Sequence, residues 1–272
     1  MPLEFLKMHG LGNDFIVIDE RKETKVRNAD KADFARKYCE RRFSIGADGV
    51  LFLGKSKVVD TKMRIFNSDG SEAETCVNGL RCVALALFKV GNYSGKKNFD
   101  IDTPVGLVHA VVEPISPNLA NVGIEVLGKR KYLGKDELCA IDRSFEYHSV
   151  NVGNPHVVIF LEEPLEDFEV EKYGHAIEYH KKFQHDRTNT EFVNFSSSNK
   201  LKMRVHERGA CETKACGSGS LAVVIASCEA GYSKKNEWIS VEQPGGVLHA
   251  LYGDELKLKG PAEISFCGRL EF

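Results

Sequence analysis

The 272 residues include 37 basic and 39 acidic side chains, and 42% of them are hydrophobic. That is enough apolar material for one large core or two ordinary ones, which excludes a disordered chain, and the scattered basic residues give no footprint for nucleic acid or an anionic membrane. Small-molecule substrates are the expectation that remains.

The chain opens with "MPLEFLKMHGLGNDF", which lacks a charged-then-apolar leader, and no apolar run approaches the roughly 18 residues of a membrane span, so a cytoplasmic location is expected. In chain order, Phe15 to Asp19 reads as a strand and 30–41 as a surface helix. A strand at Met63 to Phe66 leads through the turn Ser68-Asp69-Gly70 into an apolar stretch ending near Gly91. Being apolar nearly all round, that stretch reads as a buried central helix. Strands are predicted over 105–113 ("VGLVHAVVE"), 121–127 and 156–161, and a second surface helix over 168–183. A strand at Met203 to His206 precedes a Gly-bearing turn and a second apolar helix ending at Gly231, and the chain closes with strands over 238–242 and 246–260.

Two of these segments match: "MRIFNSDGSEAETCVNGLRC" and "KMRVHERGACETKACGSGS" both run strand, turn, cysteine, helix, with Cys76 and Cys216 140 residues apart. The expected fold is α+β: two pseudo-symmetric halves facing one another, each a mixed or antiparallel sheet wrapped around a central helix. The expected boundaries are 1–117 for the half carrying Cys76 and 118–262 for the half carrying Cys216, with the tail, about 263–272, packing back on the first.

Eight cysteines without a secretory leader argue against a disulfide scaffold. No Cys-x-x-Cys or His-x-x-x-His pair appears, so no metal site is expected. Cys39, Cys139, Cys228 and Cys267 read as ordinary small hydrophobes. Cys76 and Cys216 differ, because each stands where unpaired backbone N–H groups and the positive end of a helix favour a thiolate. Small or amide residues follow each: Val77, Asn78 and Gly79 after the first, Gly217, Ser218 and Gly219 after the second. These helix ends could hold a carboxylate. Two thiols on opposite faces of a carbon beside that carboxylate would supply the base and acid for inverting a stereocentre, with no pyridoxal lysine or metal obligatory. A redox pair is the rival use of the same residues, although such proteins usually carry a close Cys-x-x-Cys.

With these residues the chain resembles the diaminopimelate epimerases from end to end. The motifs are "FLKMHGLGNDF" at 5–15, "GADG" at 46–49, "RIFNSDGSEAETCVNGLRC" at 64–82, "GNPH" at 153–156, "RTNTEF" at 187–192, "HERGACETKACGSGS" at 206–220 and "QPGG" at 243–246. The resemblance implies a cofactor-independent isomerase that interconverts LL- and meso-diaminopimelate for lysine and peptidoglycan synthesis, as a homodimer. It implies Cys76 and Cys216 as acid and base, with His156 and Glu207 beside them to exchange protons. It also implies substrate contacts at Asn13, Asn67, Asn154, Asn189, Glu207 and Arg208, chiefly to the distal amino-acid end. On the residues alone, His156 would be a loop residue and Glu207 a surface charge.

Three positions depart from the family pattern. Val77 replaces a glycine and is expected to be helical, Cys211 adds a third thiol near the site, and Gly49 stands where some members carry a glutamine, so it receives no role. Two other readings are weighed beside the main one: a cofactor-independent racemase of another amino acid on the same fold, and a non-catalytic or redox-sensing relative that binds amino acids.

Overall fold

The computed structural model describes residues 2–74, 76–90, 95–104, 106–126 and 130–271. Gly91, Val105 and Leu127, which end elements in the sequence reading, lie outside the described residues. The chain divides into two units, residues 1–127 with 259–272, and residues 128–258.

The first unit begins with β1 (Leu3–Gly10), β2 (Asn13–Glu20), α1 (Lys31–Cys39), β3 (Gly49–Gly54), β4 (Thr61–Asn67) and β5 (Glu72–Ala73). It continues with α2 (Val77–Lys89), β6 (Asn98–Thr103), β7 (Gly106–Pro114) and β8 (Leu119–Glu125). β2 and β3 pair in parallel, and β3 pairs antiparallel with β4. Their apolar run is continuous because both faces are covered. Phe15, Val17, Leu51 and Leu53 join the cluster around α2, while Ile16, Ile18, Val50 and Phe52 pack with Phe34 and Tyr38 of α1. α2 is buried along its length, with Leu80, Val83, Ala84 and Leu87 set among Met8, Phe99, Val108 and Val122. α1 is anchored by Lys31, buried and paired with Glu20.

The second unit holds β9 (Lys131–Ala140), β10 (Arg143–Asn151), β11 (Pro155–Phe160), α3 (Val170–Glu178), β12 (Asn189–Ser197) and β13 (Lys200–Glu207). β14 (Cys211–Thr213), α4 (Gly217–Glu229), β15 (Trp238–Gln243) and β16 (Gly246–Tyr252) follow. Its plan repeats the first: β11 runs parallel to β12, β12 antiparallel to β13, and β15 parallel to β13, as β6 is to β4. α4 is buried among β9, β10, β11, β12 and β16, and α3 covers the other face through Tyr173 and Ile177 against Phe145 and Phe192.

β17 (Leu256–Leu270) enters the first unit at Lys259, and its residues 263–270 pair antiparallel with β1. The strand expected over 246–260 is thus two strands, parted where Gly253 N donates to Glu255 O. The boundary expected at Pro117 and Asn118 falls in the turn of the β7–β8 hairpin, whose register keeps β8 within the first unit. A proline and an asparagine mark a turn equally well inside a domain and between two domains.

Candidate active site

In the first unit, Cys76 is the N-cap of α2, with extended backbone, and its Sγ accepts a hydrogen bond from Gly79 N at 3.4 Å. The thiol also lies 3.7 Å from Asn13 Oδ1, which accepts from Asn78 Nδ2 at 3.2 Å. Asn13 sits at the start of β2, and its Nδ2 donates to Asp48 Oδ2 at 2.7 Å, so Asp48 dictates which way the amide faces. Asp48 in turn accepts from Arg41 at 2.8 Å. Asn67, at the end of β4, donates to Ser71 Oγ at 3.0 Å. Val77 opens α2 and is absent from the positive-φ residues, so the branched side chain is accommodated in the helix. Gly79 packs close to β3, where an added Cβ would stand 3.1 Å from Leu51 Cδ2.

Arg81, one turn further along α2, is fully buried; its Nε donates to Pro261 O at 3.2 Å while Nη1 and Nη2 have no hydrogen-bond partner among the described residues. Burial pulls its guanidinium down to about 10, opposed by the Cys82 and Cys76 sulfurs.

In the second unit, Cys216 is the N-cap of α4 with the same geometry, Sγ accepting from Gly219 N at 3.3 Å and lying 3.4 Å from Ser218 Oγ. Gln243 fixes the cap, with Oε1 accepting from Cys216 N at 2.8 Å and Nε2 donating to Ser220 Oγ at 3.0 Å. The surroundings of this thiol are ionisable. His156 Nδ1 is 2.7 Å from Glu191 Oε1 and its Nε2 is 3.1 Å from Asn154 Oδ1. Glu207 hydrogen-bonds Thr213 and Cys216. Gly219 leaves room for this cluster, because a Cβ would stand 2.7 Å from Glu191 Oε1.

Burial pushes the Cys216 thiol well above its ordinary 9.0, reinforced by the charges of Glu207 and Glu191 and opposed by Ser218 and the Gly219 N–H. Burial likewise raises Glu207, against hydrogen bonds from Thr213 and Cys216 and with repulsion from Glu191. The half-buried Glu207 is therefore suited to hold a proton and return it to sulfur.

The structure gathers Asn13, Cys76, Val77, Asn78 and Gly79 in one unit, and Asn154, His156, Glu207, Cys216, Gly217, Ser218 and Gly219 in the other. Asn189 Nδ2 donates to Pro155 O at 2.8 Å and its Oδ1 accepts from Arg208 N at 3.1 Å. Its amide thus staples the loop carrying Asn154 and His156 to the turn carrying Glu207 and Arg208. Arg208 is exposed, with Nη1 on Asp186 O at 2.6 Å. Cys211 does not bond Cys216; its thiol engages Glu171 of α3, and it holds a left-handed φ of 62°. Sequence reasoning left Asp48, Arg81, Glu191 and Gln243 unassigned, although all four lie within the quoted motifs.

The fold is shared with amino-acid racemases and epimerases and their relatives. A hydroxyproline epimerase from Agrobacterium vitis superposes with a TM-score of 0.72 over 99% of this chain and 92% of its own, at 12% identity. A phenazine biosynthesis protein of the PhzF family from Bacillus anthracis gives 0.71 over the whole of both chains at 13% identity. At such identities the likeness is one of fold. The profile described as Diaminopimelate epimerase matches residues 5–126 and 148–264. The diaminopimelate epimerase of Carboxydothermus hydrogenoformans is 42% identical over 98% of both chains, and that of Methanococcus maripaludis 36% identical over 99% of this chain and 100% of its own. The chain belongs to the diaminopimelate epimerase family.

Proposed function

We propose that this isomerase interconverts LL- and meso-diaminopimelate by proton transfer at one α-carbon, with Cys76 and Cys216 as the acid and base. The observation that carries the reading is the repeated thiol cap: each unit presents one cysteine at the N-terminus of a buried helix, accepting the N–H three residues on. In the reaction one thiolate takes the α-proton, the C–H bond breaking as S–H forms. The electron pair spreads into the substrate carboxylate, where helix N–H groups at Val77 to Gly79 and Gly217 to Gly219 stabilise it. The other thiol then protonates the opposite face, and the roles exchange in the reverse direction. Glu207, with His156 and Glu191 behind it, relays the proton of Cys216. Asn13, Asn67, Asn154, Asn189 and Arg208 hold the distal ammonium and carboxylate, so substrates lacking that end leave polar groups unpaired, at about 1–3 kcal/mol each.

No described helix is long and apolar enough to cross a membrane. All eight cysteines are free, which fits a reducing compartment, and we place the enzyme in the cytoplasm as a homodimer. Incubation with LL-diaminopimelate in D₂O, without pyridoxal phosphate, should yield meso product carrying α-deuterium. Exchange on another amino acid alone would assign a different racemase, and no exchange on any would leave a binding protein.

A further inference from the structure

The two units share a strand register, and the same place in each is filled differently. β2 and β3 begin their parallel pairing at Phe15 and Gly49, β11 and β12 at His156 and Asn189, so Asp19 corresponds to Phe160 and Lys55 to Phe195. Likewise Leu6 of β1 stands opposite Val17 as His148 of β10 stands opposite Val158. In the second unit these positions are plugged by rings. Phe160 stacks on Phe195 with centroids 4.8 Å apart, His148 lies 5.2 Å from Phe160, and Tyr232, just beyond α4, meets the two phenylalanines at 5.2 and 4.7 Å. In the first unit the same end of the sheet, beside the last turn of α2, holds a cavity of about 1030 Å³. A leucine, an aspartate and a lysine do not fill the space that packed rings occupy.

The floor of this cavity is apolar, formed by Leu6, Val17, Leu53 and Ala86, and its mouth is charged. Most of those charges are already committed: Arg21 binds Asp19 and the Val90 carbonyl, Arg269 binds Glu4, and Asp60 binds Lys96 and Asp100 N. Lys22, Lys25 and Lys55 have no ion pair or side-chain hydrogen bond among the described residues, and they outnumber the one carboxylate in the same position, Glu23. Lys25 and Lys55 both flank the end of the β2–β3 pair, since Lys25 N donates to Glu20 and Lys55 follows Gly54, the partner of Glu20. An apolar chamber with a cationic mouth suits an amphipathic anion, whose body leaves water for the floor while its charge stays at the rim. We propose that this cavity binds a small organic acid with an apolar chain or ring, its carboxylate held by Lys25 and Lys55 and its body against Leu6, Val17 and Leu53. The site lies at the opposite end of α2 from Cys76, about 20 Å away along a helix of 13 residues, and is separate from the thiol cap.

The test uses the full chain, reduced, with sodium octanoate as the probe; binding is read directly, so the result does not depend on the reaction proposed above. Calorimetry at neutral pH should give one site with a dissociation constant on the order of 100 μM, and octylammonium and 1-octanol should bind at least tenfold more weakly. Cys267 is exposed and lines the cavity, so saturating octanoate should slow its alkylation by iodoacetamide at least threefold while leaving the exposed Cys139 of β9 unchanged. Lys55→Phe, which supplies the side chain found in the second unit, should abolish octanoate binding, and Lys57→Phe, outside the cavity, should retain it. Absence of saturable binding, equal affinity for octylammonium, unprotected Cys267, or equal losses in the two lysine variants would overturn the proposal. Protection of Cys267 that grows with protein concentration in the absence of octanoate would overturn it too, and would assign the cavity to a second copy of the chain.

Discussion

At the residue scale the two thiols share a backbone geometry and differ in their company. Beside Cys216 stand Glu207 and Glu191, which oppose its ionisation, whereas Cys76 has amides around it and the buried guanidinium of Arg81 within electrostatic reach. A guanidinium favours a thiolate and a carboxylate disfavours one. Iodoacetamide at neutral pH should therefore modify Cys76 before Cys216, as read by peptide mass spectrometry, and the reverse order would contradict this account. Glu207→Gln removes both a charge and a proton acceptor. Its inversion rate should fall about 10²- to 10⁴-fold, while the alkylation profile of Cys216 moves to lower pH. An unmoved profile would mean that burial alone sets that thiol.

The glycines behind the two thiols give a matched pair of tests at the same scale. Gly219→Ala drives a methyl into a buried carboxylate already held by His156, and should cost about 1–3 kcal/mol of stability with most of the activity. Gly79→Ala makes one tight contact, with a Leu51 methyl at 3.1 Å that can yield, beside ordinary contacts at 3.5 Å with Cys76 Cβ and the other Leu51 methyl, and should stay within about 1 kcal/mol of the parent. Equal losses in chemical denaturation would show that the carboxylate is not the obstacle.

At the scale of elements, the strand leading into each helix carries the same clamp. Arg64 Nε and Nη2 bind Glu72 at 2.6 and 2.9 Å, and Arg204 binds Glu212 at 2.7 and 2.9 Å. These bidentate pairs hold β4 to β5 and β13 to β14, setting the turn before each cysteine. They are not equivalent. Arg204 Nη1 also donates to Leu165 O at 2.6 Å and Phe168 O at 2.9 Å, tying down the segment before α3. Arg204→Met should cost about 2–4 kcal/mol, because carbonyls lose their donor, and Arg64→Met about 1 kcal/mol or less. Urea melts of the two variants check the order. α2 and α4 are legible as long stretches that are apolar nearly all round and close on a glycine, and α1 and α3 are expected within a few residues of their ends. β9 and β14 are not, since one is mostly exposed and polar and the other is three residues long.

At the scale of the whole molecule, two copies of one plan have been specialised differently. Where Leu51 lies behind Gly79 in the first unit, Glu191 lies behind Gly219 in the second. One copy became apolar and amide-lined, the other acidic. The acidic copy makes stability depend on pH. Glu207 binds its proton more tightly folded than unfolded, so its contribution is complete below its ordinary value of 4.5 and declines as pH rises through the folded value. Cys216 adds a second decline above 9.0. Glu207→Gln should flatten the first decline and Cys216→Ala the second, in denaturation midpoints measured across pH; slopes identical to the parent would place the titrating groups elsewhere.

The sequence by itself determined the duplication, the two thiol caps, the central helices and the family, because each is written in local signals: a repeated order of strand, turn, cysteine and helix, long apolar stretches, and motifs in register. Only the tertiary structure decided what surrounds those caps. Glu191 reaches Gly219 of α4 from β12, Asp48 turns the amide of Asn13, Gln243 holds the Cys216 N–H, and Asn189 bonds the backbone at Pro155 and Arg208. The division at 127 and 258, in place of 117 and 262, was decided there as well. Such facts rest on which strands pair and which side chains share a buried volume. Residues far apart in the chain supply both, and no local pattern encodes the partner a polar atom finds once water is excluded.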